Sequence, residues 1–162
     1  MSMDSFIEME EPMEVQRNTY LNKVINRMHN GMIKVITGIR RSGKSYLLLT
    51  LFRRHLRSSG VPEDHILVME FDRLENRRYR DPYVLLDYLK EQIKDEGNYY
   101  ILLDEVQMLQ DFEEVLNSLL RESNLDIYVT GSNSKFLSQD VLTEFRGRGD
   151  EVHIYPTKTI TS

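Results

Sequence analysis

Hydrophobic residues follow two alternating patterns along the chain. Short apolar runs predict buried strands at residues 32–37, 66–71, 99–103 and 126–130, and the alternation of polar and apolar residues at 151–155 predicts a fifth strand. Between them, apolar residues recur every three or four positions and predict helices at 16–29, 43–57, 81 to near 97, 111–120 and 135–145. Strands alternating with helices indicate an α/β fold with a parallel sheet covered on both faces.

Two aspartates are predicted to cap helices. Asp81 precedes Pro82, and proline is favoured at the first helical position after a capping residue. Asp111 is followed three residues later by Glu114, the spacing of a capping box. In such a box each side chain accepts a hydrogen bond from the other residue's backbone.

Length and composition fit a single folded domain. The chain has 162 residues, and a hydrophobic content of 40% is enough to build a core. The sequence has no cysteine, which excludes a disulfide framework and thiolate metal sites and fits a reducing cytoplasm. No apolar run approaches the length of a membrane span, so we expect a cytoplasmic chain without a membrane segment.

The net charge of −5 is concentrated at the start of the chain. Five acidic residues precede the first basic residue, Arg17: Asp4, Glu8, Glu10, Glu11 and Glu14. We therefore expect an acidic, flexible lead-in over residues 1–15 and a neutral domain over residues 16–162. A neutral body without a basic stripe gives no indication of nucleic-acid binding.

Residues 38–45 match the phosphate-loop pattern Gly-x-x-x-x-Gly-Lys-Ser/Thr and lie between a predicted strand and a predicted helix. The glycines let backbone N–H groups point at phosphate oxygens, and the following helix adds the positive end of its dipole. Lys44 is expected to reach the β- and γ-phosphates, and Ser45 to ligate Mg²⁺. The predicted nucleotide contacts are Gly38, Ile39, Arg40, Arg41, Ser42, Gly43, Lys44, Ser45 and Tyr46. Arg40 and Arg41 could also point to solvent, which we favour, or meet a partner.

Two carboxylates, Asp104 and Glu105, follow the apolar run at 99–103. In a Walker B element the first carboxylate helps to hold Mg²⁺, and the second orients or polarises the attacking water. Ser132 and Asn133 follow the next strand, and either could contact the γ-phosphate or the water as a sensor. Both are also common turn residues.

Two further features allow two interpretations each. Arg146 and Arg148 could act on a neighbouring subunit's nucleotide as an arginine finger, or form surface ion pairs. Arg17 and Tyr20 lie one helical turn apart and could flank an adenine or serve packing and solvation only.

Four stretches together resemble the prokaryotic AAA-type ATP-binding proteins, whose ATPase domain precedes a separate C-terminal domain. They are residues 33–45, 103–107, 130–134 and 146–148. The resemblance implies a P-loop NTPase three-layer sandwich with strand order 5-1-4-3-2 and a catalytic Glu105. Similar proteins continue into a lid and further domains. In contrast, we expect this chain to lack those parts, to be mostly monomeric and to hydrolyse ATP slowly. A longer form could be a homo-oligomer.

Three functions fit these motifs. The first is Mg²⁺-dependent ATP hydrolysis coupled to a missing domain or an unidentified macromolecular partner, and it is our leading interpretation. The second is a nucleotide-dependent binding module or switch with little hydrolysis. The third is a small-molecule kinase, which Glu105 beside Asp104 disfavours because that pair suits water activation. The chain has no Asn/Thr-Lys-x-Asp motif, and this favours adenine over guanine.

Overall fold

Five parallel strands form one sheet in this computed structural model, which describes residues 12–39, 41–132 and 149–155. The strands are β1 Ile33–Thr37, β2 Ile66–Glu70, β3 Tyr99–Asp104, β4 Leu125–Gly131 and β5 Gly149–His153. Their order across the sheet is β2-β3-β4-β1-β5. Read from the opposite edge this is 5-1-4-3-2, so the expected order and the α/β class are confirmed.

Helices cover both faces of the sheet. They are α1 Pro12–Ile25, α2 over residues 44–58, α3 Pro82–Gln92 and α4 Phe112–Leu120. Buried side chains of α1 and α2 share one apolar cluster with one face of the sheet, and those of α3 and α4 share a second cluster with the other face. The arrangement is the expected three-layer sandwich. Within the described residues, no helix has the length and apolar character needed to cross a membrane.

The helix after the phosphate loop is continuous but not uniform. It passes from an α-helical turn, Lys44–Tyr46, through a π-helical stretch, Leu47–Phe52, into a final α-helical segment, Arg53–Ser58. π-Helical turns are uncommon, and where they occur they often lie near functional sites. Short 3-10 turns connect other elements at Glu63–His65, Leu74–Arg80 and Val106–Met108.

Several predicted boundaries differ from those in the structure. Helix α1 begins at Pro12, so the backbone of residues 12–15 is helical instead of belonging to a flexible lead-in. Helix α3 ends at Gln92 because Ile93 is extended, and β5 begins two residues earlier than predicted. Residues 1–11 and the predicted helix at 135–145 lie outside the described residues.

One of the two predicted caps is correct. The Asp81 carboxylate accepts a 2.9 Å hydrogen bond from the Tyr83 N–H, with Pro82 at the first helical position. The capping box at Asp111 is wrong. Asp111 adopts a left-handed conformation, φ 52° and ψ 41°, and its side chain makes no capping hydrogen bond. The N–H of Glu114 instead donates to the main-chain oxygen of Asp111 at 3.1 Å.

A buried ion pair joins the two central strands on the side of α1 and α2. The Lys34 side chain on β1 is fully buried and contacts Oδ1 of Asp126 on β4. The other oxygen of Asp126 accepts hydrogen bonds from the Tyr128 hydroxyl and, at 3.0 Å, from the His29 N–H. Asn30 Oδ1 accepts a second hydrogen bond from Lys34 at 3.2 Å. The charges are therefore compensated within the fold.

Removing the negative charge of this pair should destabilise the fold. Asp126→Asn preserves the shape of the side chain but leaves the Lys34 ammonium buried without a counter-charge. We expect a loss of about 3–5 kcal/mol in the free energy of unfolding, measured by urea denaturation. Glu63→Gln is the control, because Glu63 forms an exposed ion pair with Arg53 and Arg57 that should contribute far less. Equal losses in the two variants would contradict the prediction.

Candidate nucleotide site

The predicted functional residues follow three neighbouring strands. Strands β3, β4 and β1 are adjacent and parallel, so their carboxyl ends meet at one edge of the sheet. The glycine-rich loop follows β1, Asp104 ends β3 and is followed by Glu105, and Ser132 follows β4. In open α/β sheets this edge is where ligands bind.

The glycine-rich loop needs its two glycines for different reasons. Gly43 has φ 93°, in the region that favours glycine, and no atom lies within 4 Å of the point where a Cβ would stand. At Gly38, a Cβ would lie 2.7 Å from Ser42 Oγ and 3.0 Å from the main-chain oxygen of Ile154. Gly43 therefore leaves open space for a ligand at the start of α2, whereas Gly38 lets the loop pack against the end of β5.

Lys44 begins α2 and projects into the site. Its side chain is 3% exposed, and its ammonium lies 3.1 Å from Oε1 of Glu105. The backbone N–H groups of the first helical turn have no acceptor within their own helix. The start of α2 thus combines a buried cation with free N–H donors, a combination suited to phosphate.

Asp104 is a buried carboxylate held by two hydroxyls. Ser45 Oγ and Thr130 Oγ1 each donate to its Oδ1 at 2.7 Å. Burial raises the pKa of Asp104, and the two hydroxyl hydrogen bonds oppose that rise only in part. The Ser45 hydroxyl and the Asp104 carboxylate supply adjacent oxygens, the ligand type that Mg²⁺ prefers, so this donor set fits the metal.

Glu105 has a left-handed backbone and three side-chain partners. Its φ is 55° and its ψ is 52°. Its Oε1 contacts Lys44, and its Oε2 accepts hydrogen bonds from Ser132 Oγ and Gln107 Nε2, both at 2.6 Å. Burial acts to raise the pKa of this carboxyl. The hydrogen bonds from Ser132, Gln107 and Lys44 outweigh burial and hold that pKa below its usual value, so Glu105 is ionised at neutral pH.

The two carboxylates are tied together by a residue that the sequence analysis did not single out. Thr130 Oγ1 donates to Asp104 and accepts a 2.8 Å hydrogen bond from the Glu105 N–H. Its side chain is fully buried at the end of β4. A buried polar residue near the end of a strand was the available signal.

A cavity of about 200 Å³ lies beside the loop, between α1, α2 and the end of β5. Its lining includes Arg17, Tyr20, Arg41, Tyr46, Leu51 and Tyr155. The Arg17 guanidinium lies 5.0 Å from the centre of the Tyr46 ring, and the Tyr20 hydroxyl accepts a 3.2 Å hydrogen bond from the Tyr155 N–H. Mixed aromatic, apolar and cationic walls suit a flat, heteroaromatic base.

The structure brings together most of the predicted site residues. Lys44, Ser45, Asp104, Glu105 and Ser132 form one contiguous group joined by hydrogen bonds and the Lys44 ion pair. The loop residues Arg41, Ser42 and Gly43 and the helix residue Tyr46 line the adjacent cavity, and Ile39 is half exposed. Arg40, Asn133, Arg146 and Arg148 lie outside the described residues.

A family model described as an AAA domain matches residues 30–159, which is most of the chain. The match includes the loop, both carboxylates and Ser132. The chain belongs to the AAA domain family. It is therefore an AAA-type P-loop domain of the nucleotide-binding, ATPase-like class, as the resemblance implied.

Two curated relatives of this AAA domain are uncharacterized proteins. One, from Haemophilus influenzae, is 34% identical over 143 residues, covering 88% of the chain and 36% of the relative. The other, from Methanocaldococcus jannaschii, is 33% identical over 144 residues, covering 83% of the chain and 30% of the relative. The chain thus spans about a third of the length of these relatives.

Solved structures share the fold at low sequence identity. A Drosophila ORC chain, from a structure of ORC bound to AT-rich DNA and Cdc6, is similar with a TM-score of 0.61 and 16% identity, covering 98% of this chain and 64% of that one. Caenorhabditis elegans PCH-2 is similar with a TM-score of 0.55 and 18% identity, covering 88% and 40% respectively. At these identities the likeness establishes the fold alone.

Truncating Lys44 tests whether this site binds nucleotide phosphates. Lys44→Ala removes the buried cation at the start of α2 and should weaken ATP binding by roughly 30-fold or more, the scale of losing one partner of a buried charge pair. Calorimetric titration of ATP measures the change. Lys90→Ala, at an exposed lysine of α3, should bind ATP as the unaltered chain does. Equal affinities in all three proteins would contradict a phosphate site at Lys44.

Proposed function

We propose that this AAA domain binds ATP with Mg²⁺ and hydrolyses the bond between the β- and γ-phosphates. The observation that carries the proposal is the single polar cluster in which Lys44 contacts Glu105 while Ser45 contacts Asp104. It unites a phosphate-binding cation, a metal-binding oxygen pair and an ionised carboxylate at the end of one sheet.

Ser45 and Asp104 would hold the Mg²⁺ ion. When bound, the ion neutralises charge on the β- and γ-phosphate oxygens. The hydrogen bond between Ser45 and Asp104 keeps their oxygens 2.7 Å apart, so both side chains are oriented before any ligand arrives. Thr130 donates to the same oxygen of Asp104 and further limits rotation of the carboxylate.

Glu105 would orient the attacking water and accept its proton. Water attacks the γ-phosphorus, the bond to the bridging oxygen breaks, and ADP and phosphate leave. The carboxylate must be ionised for this role, and its hydrogen bonds keep its pKa low. In the described structure Lys44 is the counter-ion of Glu105, so a phosphate that engages Lys44 competes for that contact.

The cavity beside the loop would receive the adenine. It is adjacent to Gly43 and opens between Arg17, Tyr46 and Tyr155, which offer stacking and cation–π contacts. This supports the nucleotide-flanking interpretation of Arg17 and Tyr20.

The Lys44–Glu105 ion pair also favours a second candidate function, a nucleotide-dependent switch with little hydrolysis. While that pair persists, Lys44 shields the carboxylate from water. If bound ATP displaces Glu105 from Lys44 only slowly, the domain would signal that nucleotide is bound without hydrolysing it rapidly.

We further propose that the domain acts in the cytoplasm and is coupled to an unidentified partner or to a further domain. The chain alone would be monomeric and slow, and Arg146 or Arg148 would act on the nucleotide of a neighbour in a longer, oligomeric form. An arginine finger supplied in this way contributes roughly 10³- to 10⁵-fold in rate.

Neutralising Glu105 tests hydrolysis separately from binding. Glu105→Gln retains the size of the side chain but removes the carboxylate that accepts the water proton, so phosphate release should slow by roughly 10²-fold or more. ATP affinity should remain. Single-turnover phosphate release with the protein in excess detects even slow rates. Glu114→Gln, at an exposed glutamate of α4, serves as the control. Lost ATP affinity with unchanged turnover of bound ATP would refute the role.

Neutralising Asp104 tests the metal site. Asp104→Asn should raise the Mg²⁺ concentration needed for half-maximal phosphate release by roughly 10-fold or more. Chelation of Mg²⁺ by EDTA should abolish release in the unaltered chain. Glu70→Gln offers a control at the neighbouring register position, where the carboxylate pairs with Arg73. Superimposable Mg²⁺ titrations of the unaltered and Asp104→Asn chains would exclude this metal assignment.

A further inference from the structure

Gln107 contacts the same Glu105 oxygen as Ser132, although no motif assigned it a role. Its Nε2 lies 2.6 Å from Oε2 of Glu105. An ionised carboxylate only accepts hydrogen bonds, so the amide nitrogen must face Glu105 and the orientation of the amide is fixed chemically.

The backbone around Gln107 is rigid. Gln107 lies in the 3-10 turn Val106–Met108, which is closed by hydrogen bonds from the Met108 N–H to Glu105 at 3.1 Å and from the Leu109 N–H to Val106 at 3.0 Å. Val106 is fully buried and Leu109 is 1% exposed. Two core side chains therefore anchor the turn on either side of Gln107, and the amide is presented to Glu105 from a fixed position.

The same amide is costly for the fold. Gln107 Oε1 is buried and has no hydrogen-bond partner among the described residues. A buried acceptor without a partner destabilises a protein, and an apolar side chain of similar length would avoid that loss. An apolar side chain would, however, lose the hydrogen bond to Glu105.

The two oxygens of Glu105 have different partners. Oε2 accepts hydrogen bonds from Ser132 and Gln107, whereas Oε1 contacts Lys44. If a phosphate takes Lys44 as its counter-ion, Oε1 loses its cation but Oε2 keeps both donors. The oxygen available to water is then Oε1, on a carboxylate that cannot rotate freely.

We infer that Gln107 is a positioning residue for hydrolysis: with Ser132 it clamps Oε2 of Glu105 and so aims Oε1 at the attacking water. The inference rests on the proposed function of Glu105. It assigns Gln107 no contact with nucleotide, and it therefore predicts an effect on the rate of hydrolysis and none on ATP binding.

Gln107→Met tests this, because methionine has a similar length and flexibility but no amide. Single-turnover phosphate release should slow by roughly 10-fold or more, the scale of one hydrogen bond to a charged group. The ATP dissociation constant should change less than about twofold, within the scatter of a neutral substitution. Gln110→Met is the matched control, since Gln110 is exposed three residues further along and its N–H bonds the main chain of Arg80. It should leave rate and affinity unchanged.

A double variant separates positioning from general damage to the fold. In the Glu105→Gln background the carboxylate is already lost, so adding Gln107→Met should slow hydrolysis little further. If the double variant is slowed by the product of the two single effects, the inference is overturned. It is also overturned if Gln107→Met loses ATP affinity by the same factor as it loses rate.

The remaining outcomes distinguish the two proposals. A slow Glu105→Gln together with a Gln107→Met of normal rate overturns the role of Gln107 alone. A Glu105→Gln that hydrolyses ATP normally overturns the proposed function of Glu105 and this inference with it.

Discussion

The buried charge of Lys44 is the constraint on which the site depends. A cation that is 3% exposed is stable only beside a counter-charge, and Glu105 supplies it at 3.1 Å. Within the described part of the chain no cation pairs with the neighbouring Asp104; it is held by the hydroxyls of Ser45 and Thr130, and burial raises its pKa. The two carboxylates thus have one ammonium between them in the described site, and a divalent cation would offset the excess negative charge.

The opposite end of the same sheet provides a contrast. Lys34 and Asp126 also form a buried pair, but Tyr128 and the His29 N–H complete the coordination of the carboxylate, and Asn30 adds a second acceptor for the lysine. That network is closed and needs no ligand. At the carboxyl end, Lys44 lies next to the open space at Gly43 and to the first N–H groups of α2, which have no acceptor within their own helix, so its counter-ion can be exchanged. Similar chemistry is structural at one end and suited to binding at the other.

The sequence predicted the parts of the fold that depend on repeated local signals. Four apolar runs and one alternating segment located the five strands, and the glycine-rich loop is recognisable because phosphate binding requires its residues at fixed spacing. Strand order followed from family resemblance and not from periodicity. The left-handed conformations of Asp111 and Glu105 were not predictable, because non-glycine residues seldom adopt them and tertiary contacts select them. The contact between Gln107 and Glu105 was also not predicted, because it depends on a short turn that no periodic pattern encodes.

The left-handed backbone at Glu105 explains how two consecutive residues can serve one site. In an extended strand, adjacent side chains point to opposite faces of the sheet, so if β3 simply continued, Glu105 would point toward α3 and α4 while Asp104 faced α2. The change to φ 55° at Glu105 interrupts that alternation. Its carboxylate then reaches Lys44, while Asp104 stays with Ser45. Such a conformation costs of order 1–3 kcal/mol, and the hydrogen bond from the Glu105 N–H to Thr130 helps to hold it. A local backbone strain thereby gives the neighbouring carboxylates different partners, which fits the division between metal binding and water activation that we propose.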